Sequence, residues 1–237
     1  MNDHPTNCIC GNPIDPETLE LAKYWARLPL FHCSECQQRS DEGEARRAAD
    51  EKQKIEEATR IGRLEIIKPE LRRTQINHPG FNPALWLKVE HWTPDSLKWL
   101  GIVGLPGTCK TRSLALLAKR LILDGHLVFW ARAVDFQSQV ENLRSNDRQV
   151  EAVAREYIRA CKTCGLLIFD DIGKNTWTPS LERHMFDLID HRKDEDLPVL
   201  WSANTHPLDI LRTGLLTKER GGPLLGRLLE ASRIERS

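Results

Sequence analysis

The sequence predicts an α/β fold: a parallel-sheet phosphate-loop domain covered by helices on both faces, preceded by a small cysteine-bearing segment and a charged helix. Three observations predict it. From Lys98 onward, short apolar runs alternate with amphipathic helical stretches, the pattern of strands buried on both faces and joined by helical crossovers. The first run leads into a glycine-rich turn and then a helix. Ahead of this domain, two close cysteine pairs sit in a stretch broken by Gly11, Asn12, Pro13 and Pro16.

Composition sets the outer bounds. The chain has 237 residues, 34 acids and 34 bases, with 40% hydrophobic and 29% charged residues. That balance suits a soluble globular protein with enough apolar content for a core, and it excludes pervasive disorder. No run of eighteen apolar residues exists, so no membrane-spanning helix is expected. MNDHPTNCIC has neither the basic cap nor the apolar run of a secretory signal. A cytoplasmic setting is therefore expected, where cysteines serve metal or redox chemistry before disulfides. The zero net charge conceals a polarity: the first 64 residues carry more acids than bases, and the segment from Lys98 carries more bases than acids. An overall basic protein is excluded, whereas a local basic surface is not. Arg144, Arg148, Arg155 and Arg159 are either a DNA contact or a solvated helix face.

The elements follow in chain order. Residues 1–38 predict a zinc ribbon. Cys8 and Cys10 (C-x-C) with Cys33 and Cys36 (C-x-x-C) can give four thiolates to one tetrahedral Zn²⁺. So little apolar content would make the fold of this segment depend on the ion. His4 or His32 could replace one ligand, and unliganded thiols are the alternative. Residues 39–64 are of mixed sign with sparse apolar positions, which predicts a solvated spacer helix. Residues 65–97, punctuated by Asn77-His78-Pro79-Gly80, Asn82-Pro83 and Pro94-Asp95, predict a linker with a short helix near 84–90. Residues 98–237 form the α/β domain, with strands expected at 99–103, 127–130, 166–169 and 199–201. Leu114, Leu117 and Leu121 line a helix that Gly125 terminates. Val150, Val153, Ala154, Tyr157, Ile158 and Cys161 form a second stripe, and Leu181, Met185, Leu188 and Ile189 a third. Cys161 and Cys164 continue into core positions, so this C-x-x-C is assigned to packing.

Four groups carry chemistry. Gly104, Leu105, Pro106, Gly107, Thr108, Cys109, Lys110 and Thr111 match the phosphate-binding loop G-x-x-x-x-G-K-[ST] in its required strand–turn–helix context. Its backbone N–H groups would cradle the phosphates of ATP, with Lys110 at the β- and γ-phosphates and Thr111 on Mg²⁺. One position departs: Cys109 puts a Cβ and a sulfur where glycine normally lets the backbone approach the phosphates. Asp170 and Asp171 end the third apolar run, at the strand edge where open α/β sheets bind ligands. Asp170 is assigned to the Mg²⁺ sphere and Asp171 to orienting or activating the attacking water. Aspartate is shorter than glutamate, which predicts slow, switch-like hydrolysis. Asn204 ends the fourth run and either contacts the water or γ-phosphate or caps the next helix. Arg227 either stabilises phosphate charge, in this subunit or across an interface, or is a surface arginine.

Taken together, GLPGTCKT, LLIFDDIG, TPSLERHMFDLIDHR, LPVLWSANTHP and LLGRLLE, spread over 98–230, resemble the AAA+ ATPases. The likeness is to bacterial replicative-helicase loaders of the DnaC type and transposition helper ATPases of the IstB type. The resemblance implies an ATPase, slow or partner-stimulated, using ATP and Mg²⁺, with Asn204 as first sensor. It implies that Arg227 reaches a neighbouring subunit's nucleotide, hence a homo-oligomer with ATP at its interfaces. It implies single-stranded DNA and a replicative helicase as partners, with a transposase as the alternative, and an N-terminal segment that engages protein or DNA. The resembling stretch ends close to Ser237, which implies a module without the helical lid and second sensor arginine. His91 and Trp92 pack on adenine or belong to the core. Three functions result: a helicase loader or replication accessory, a transposition helper, and a zinc-ribbon interaction module with a degenerate ATPase.

Overall fold

The computed structural model describes residues 7, 8, 10–17, 33–212 and 216–237, with backbone alone for 218–220. The chain divides into two compact units, Met1–Thr59 and Arg60–Ser237. Helix α1 (Ser34–Arg63) runs for 30 residues and buries none of them, as its mixed-sign composition dictates. Side-chain pairs one turn apart, Gln37 to Asp41 and Gln38 to Glu42, line its exposed surface.

In the second unit a five-stranded, wholly parallel sheet has the order β2-β3-β4-β1-β5. Its strands are β1 (Trp99–Val103), β2 (Val128–Arg132), β3 (Leu166–Ile172), β4 (Val199–Ala203) and β5 (Ser232–Arg236). The four apolar runs all become strands, and three extend past their apolar limits through Arg132, Asp170, Asp171 and Ser202. The ladder, rather than side-chain polarity, sets where a strand stops. The fifth strand has no apolar run to announce it. Ser-Arg-Ile-Glu-Arg lies on an edge, where charged side chains are the rule, and pairs with β1 from Trp99↔Ser232 to Val103↔Arg236. Lys88 Nζ also donates to Arg236 O at 3.1 Å and Arg233 Nη2 to Lys88 O at 2.7 Å.

Alternation along the strands sends neighbouring residues to opposite faces. Phe169 and Trp201 join Phe136, Leu181, Met185, Leu188 and Leu224 on one side. There they are covered by α5 (Ala133–Asn142), α6 (Arg148–Thr163), α7 (Pro179–Asp194) and α9 (Lys218–Ala231). Ile168 and Leu200 join Leu114, Leu117 and Leu121 of α4 (Lys110–Leu123) on the other. The second layer also takes in Ile67, Phe81, Leu85, Trp86, Val89 and Trp92. Residues 65–97 are thus not a linker. They carry the short helices α2 (Pro69–Arg72) and α3 (Pro83–Val89) and cover the sheet. Their apolar side chains fall between prolines and glycines without a period, so no pattern betrays their burial. Trp92 is a core residue, its Nε1 donating to Lys98 O at 2.9 Å, while His91 is exposed. On α6 the buried stripe is narrower than its sequence suggests: Ala154, Ile158 and Cys161 are buried, Val150 and Val153 exposed. The stripes of α4 and α7 are buried throughout, and Gly125 ends α4 with φ 99°. The remaining helix, α8 (Pro207–Arg212), follows β4.

Candidate nucleotide and metal sites

The glycine-rich loop 104–109 crosses from β1 to α4 at the C-terminal edge of the sheet. Three anchors fix it. Gly104 N donates to Ala203 O of β4 at 3.2 Å, and Ser237 N, just past β5, donates to Val103 O at 3.0 Å. Thr108 Oγ1 and Ser237 Oγ lie 2.6 Å apart. A Cβ on Gly104 would stand 1.8 Å from Ser237 Oγ, so it would push that hydroxyl away from Thr108. At Gly107, φ is 83° and the space around an added Cβ is open. Lys110 Nζ folds back to donate to Gly104 O and Leu105 O, both at 2.8 Å. Burial pushes its pKa down, and Asp171 and Asp170 oppose that shift. Cys109 takes φ 75°, ψ 13°, the left-handed conformation, at the N-cap of α4. Its side chain is buried among the α4 apolar residues.

The two acids of β3 part company. Asp170 is buried, and its Oδ1 accepts from Ser202 Oγ at 2.5 Å and from Thr111 Oγ1 at 3.3 Å. Burial pushes its pKa up, against the Ser202 hydrogen bond. Asp171 sits at φ 62° within the register shift of the β3–β4 ladder, between Phe169 and Ile172. Its N–H donates to Ser202 Oγ at 3.0 Å, and its Oδ2 holds Lys174 Nζ at 2.8 Å. Ser202 therefore ties both acids together, a role missing from the sequence reading. Its one signal was a hydroxyl inside a strand buried at every position. Lys174 was missed as well.

Asn204 directly follows β4, beside the strand residue that anchors Gly104. The helix after it is served instead by His206, whose Nδ1 accepts from Leu208 N at 3.3 Å. Arg227 is not gathered with Lys110, Asp170 and Asp171. It lies on α9, pairs with Asp190 of α7, and stacks its Cζ 4.6 Å from the centre of the Phe186 ring. Arg155 and Arg159 are likewise engaged on their own helix, by Glu151 and Glu156.

In the first unit the four Sγ atoms of Cys8, Cys10, Cys33 and Cys36 all lie within 4.8 Å of one another. Zn–S bonds of about 2.3 Å in a tetrahedron separate sulfurs by about 3.8 Å, so the donor set fits this ion. Cys8 N donates to Asn12 O and Gly11 N to Cys8 O, both at 2.8 Å. With Gly11 at φ 88°, these bonds turn the first pair back on itself. Cys33 and Cys36 open α1, with Cys8, Cys33 and Ile14 buried. Hydrogen bonds with Cys10, then Cys8 and Cys33, push the Cys36 thiol up to about 12. His4 and His32 lie outside the described residues. No helix among the described residues is long and apolar enough to cross a membrane.

No protein-family model and no curated protein matches this chain. Solved structures do. The crystal structure of DnaI is 20% identical with a TM-score of 0.53, over 73% of this chain and 89% of that one. The DnaC helicase loader is 16% identical with a TM-score of 0.50, over 70% and 94%. The replication initiator DnaA bound to AMPPCP and single-stranded DNA is 18% identical with a TM-score of 0.54, over 72% and 50%. The chain spans about half the length of the initiators it matches. At these identities the likeness establishes the fold alone, a parallel-sheet α/β module like theirs.

Proposed function

From the fold shared with helicase loaders and replication initiators, we propose that this chain is an ATP-binding and hydrolysing DNA-replication accessory protein. Its reading as a helicase loader, with single-stranded DNA and a replicative helicase as partners, is preferred over a transposition helper. The observation that carries the proposal is the convergence of Lys110, Thr111, Asp170, Asp171 and Ser202 at the C-terminal edge of the sheet. There the α4 N-terminus and the loop N–H groups favour anions.

Lys110 leaves the loop carbonyls for the phosphates. Thr111 and Asp170 would hold Mg²⁺, whose charge would offset the desolvation of Asp170. Asp171 orients the attacking water, and Asn204 completes the strand edge beside it. Bound ATP supplies a γ-phosphoryl group whose transfer to water yields ADP and phosphate. Arg227, engaged by Asp190, contributes to a neighbouring subunit's nucleotide only if that pair opens. Cys8, Cys10, Cys33 and Cys36, losing their thiol protons, would hold Zn²⁺ and make the first unit a partner-binding ribbon.

ATP binding and turnover, with and without single-stranded DNA, test the first part. Lys110→Ala is expected to abolish both, and unchanged values would remove the assignment. A pulldown from the host, run with and without ATP, separates helicase from transposase. Zinc content that is equal in wild type and Cys33→Ser would remove the ribbon.

A further inference from the structure

The turn after Asp171 brings a cation onto that carboxylate. Asp171 and Gly173 both have left-handed φ, 62° and 95°, so the backbone curls immediately after β3. Lys174 N donates to Asp171 O at 3.2 Å, and Gly173 N is held by Oδ1 of the buried Asn175 at 3.1 Å. Lys174 Nζ thereby closes on Asp171 Oδ2, while the Asp171 N–H remains fixed on Ser202. The pair stands in the field of the phosphate-loop group, since the charge of Lys174 acts on both Lys110 and Asp170.

We propose that Lys174 is a positioning residue that holds Asp171 in a resting arrangement and keeps basal ATP turnover low. The inference rests on the ATPase reading above. A carboxylate that orients water must point at it, and in this chain the ammonium of Lys174 on Oδ2 fixes where the Asp171 carboxylate points. The lock is weak by construction. Lys174 is 53% exposed and Asp171 22%, and pairs so open to solvent are screened by salt and easily exchanged. The Asp171 main chain, held on a buried hydroxyl, stays in place when the side chain is released. Lys174 therefore sets how often Asp171 is available, without setting how tightly nucleotide binds.

The test compares wild type, Lys174→Met and Lys174→Arg, measuring ATP affinity by titration and kcat at saturating ATP over a range of NaCl. Lys174→Met is expected to raise kcat by roughly fivefold, equivalent to about 1 kcal/mol, with affinity unchanged. Lys174→Arg restores the pair and stays near wild type. Raising NaCl from about 50 mM to about 500 mM, which shortens the screening length to a few ångströms, should raise wild-type kcat and leave the methionine variant flat. Normal ATP binding with an unchanged or lower kcat in Lys174→Met overturns this inference alone. Absence of ATP binding in wild type overturns the ATPase reading and the inference with it.

Discussion

Cys109 offers a test in which the ordinary ranking of two substitutions reverses. It caps a 14-residue helix with φ 75°, a conformation that costs a residue bearing a Cβ roughly 1–2 kcal/mol and glycine almost nothing. Alanine and glycine both delete the same buried sulfur, so that loss cancels between them. Alanine keeps the strain and glycine removes it. Cys109→Gly should therefore be more stable than Cys109→Ala by about 1 kcal/mol or more, although glycine is worse than alanine by about the same amount at a normal helical position. For a unit of this size the difference corresponds to about 2–4 °C in Tm. Relative to wild type, the glycine variant should be nearly neutral, because strain relief offsets the lost burial of a small side chain. Urea unfolding of the three proteins under identical conditions measures this. An alanine variant as stable as the glycine variant would refute the argument, since a left-handed position cannot treat the two alike.

Three further outcomes follow from the packing and the acids. Gly101→Ala would place a Cβ 2.2 Å from Cζ2 of Trp201, a ring that is fully buried and anchored by Nε1 to Ser232 Oγ at 2.8 Å. A loss of about 1–3 kcal/mol or more is expected, and wild-type stability in denaturant would contradict it. The buried Arg192 donates to the carbonyls of Cys161, Lys162, Cys164 and Pro198. Arg192→Leu should cost roughly 3 kcal/mol by stranding them, with no rescue by lysine, which cannot span both sides of the fork; a lysine variant that melts like wild type would exclude this account. Asp170 has its pKa raised by burial, so it favours the fold below its unfolded value and withdraws that support as pH rises through its folded one. Asp170→Asn should leave the nucleotide-free protein at neutral pH as stable as wild type or more so, while abolishing the Tm increase given by Mg²⁺ with ATP. In wild type that increase should fade on acidification before the ordinary carboxylate range of about 4 is reached. Thermal melts over a pH series decide both points, and a full Mg²⁺-dependent increase in the asparagine variant would count against Asp170 as a ligand.

What the sequence disclosed, and what it withheld, divides along physical lines. Strands buried on both faces are apolar over most of their length, so β1, β3 and β4 are legible as runs up to their polar ends. An edge strand is held by its ladder and carries charges, which hid β5. Residues 65–97 hid their burial because Ile67, Phe81 and Trp92 reach the core from irregular backbone that has no period. The nearness of Lys110, Thr111 and Asp170 was legible because a strand–loop–helix motif and a second strand end leave little choice of placement. The environment of Arg227 was not, since Asp190 and Phe186 meet it through the packing of α9 on α7. Lys174 was missed for a related reason. Its meaning depends on two left-handed residues curling a turn, and only one of them is glycine.

The anchoring of the candidate site is uneven, and this bears on what it can do. The phosphate loop is held from β4 through Ala203 O, from the residue after β5 through Ser237, and by its own lysine. The ties to Ala203 and Ser237 come from the sheet side and remain when Lys110 turns to the phosphates. Asp170 shares that rigidity through a buried hydroxyl and Thr111. The Asp171 carboxylate has no comparable hold. Only its main chain is fixed, and its side chain rests on a half-exposed lysine. Residues assigned to binding therefore lie in the stiff half of the site, and the residue assigned to hydrolysis lies in the adjustable half. Such a division lets occupancy and turnover vary independently, as the proposed switch-like use of ATP would require.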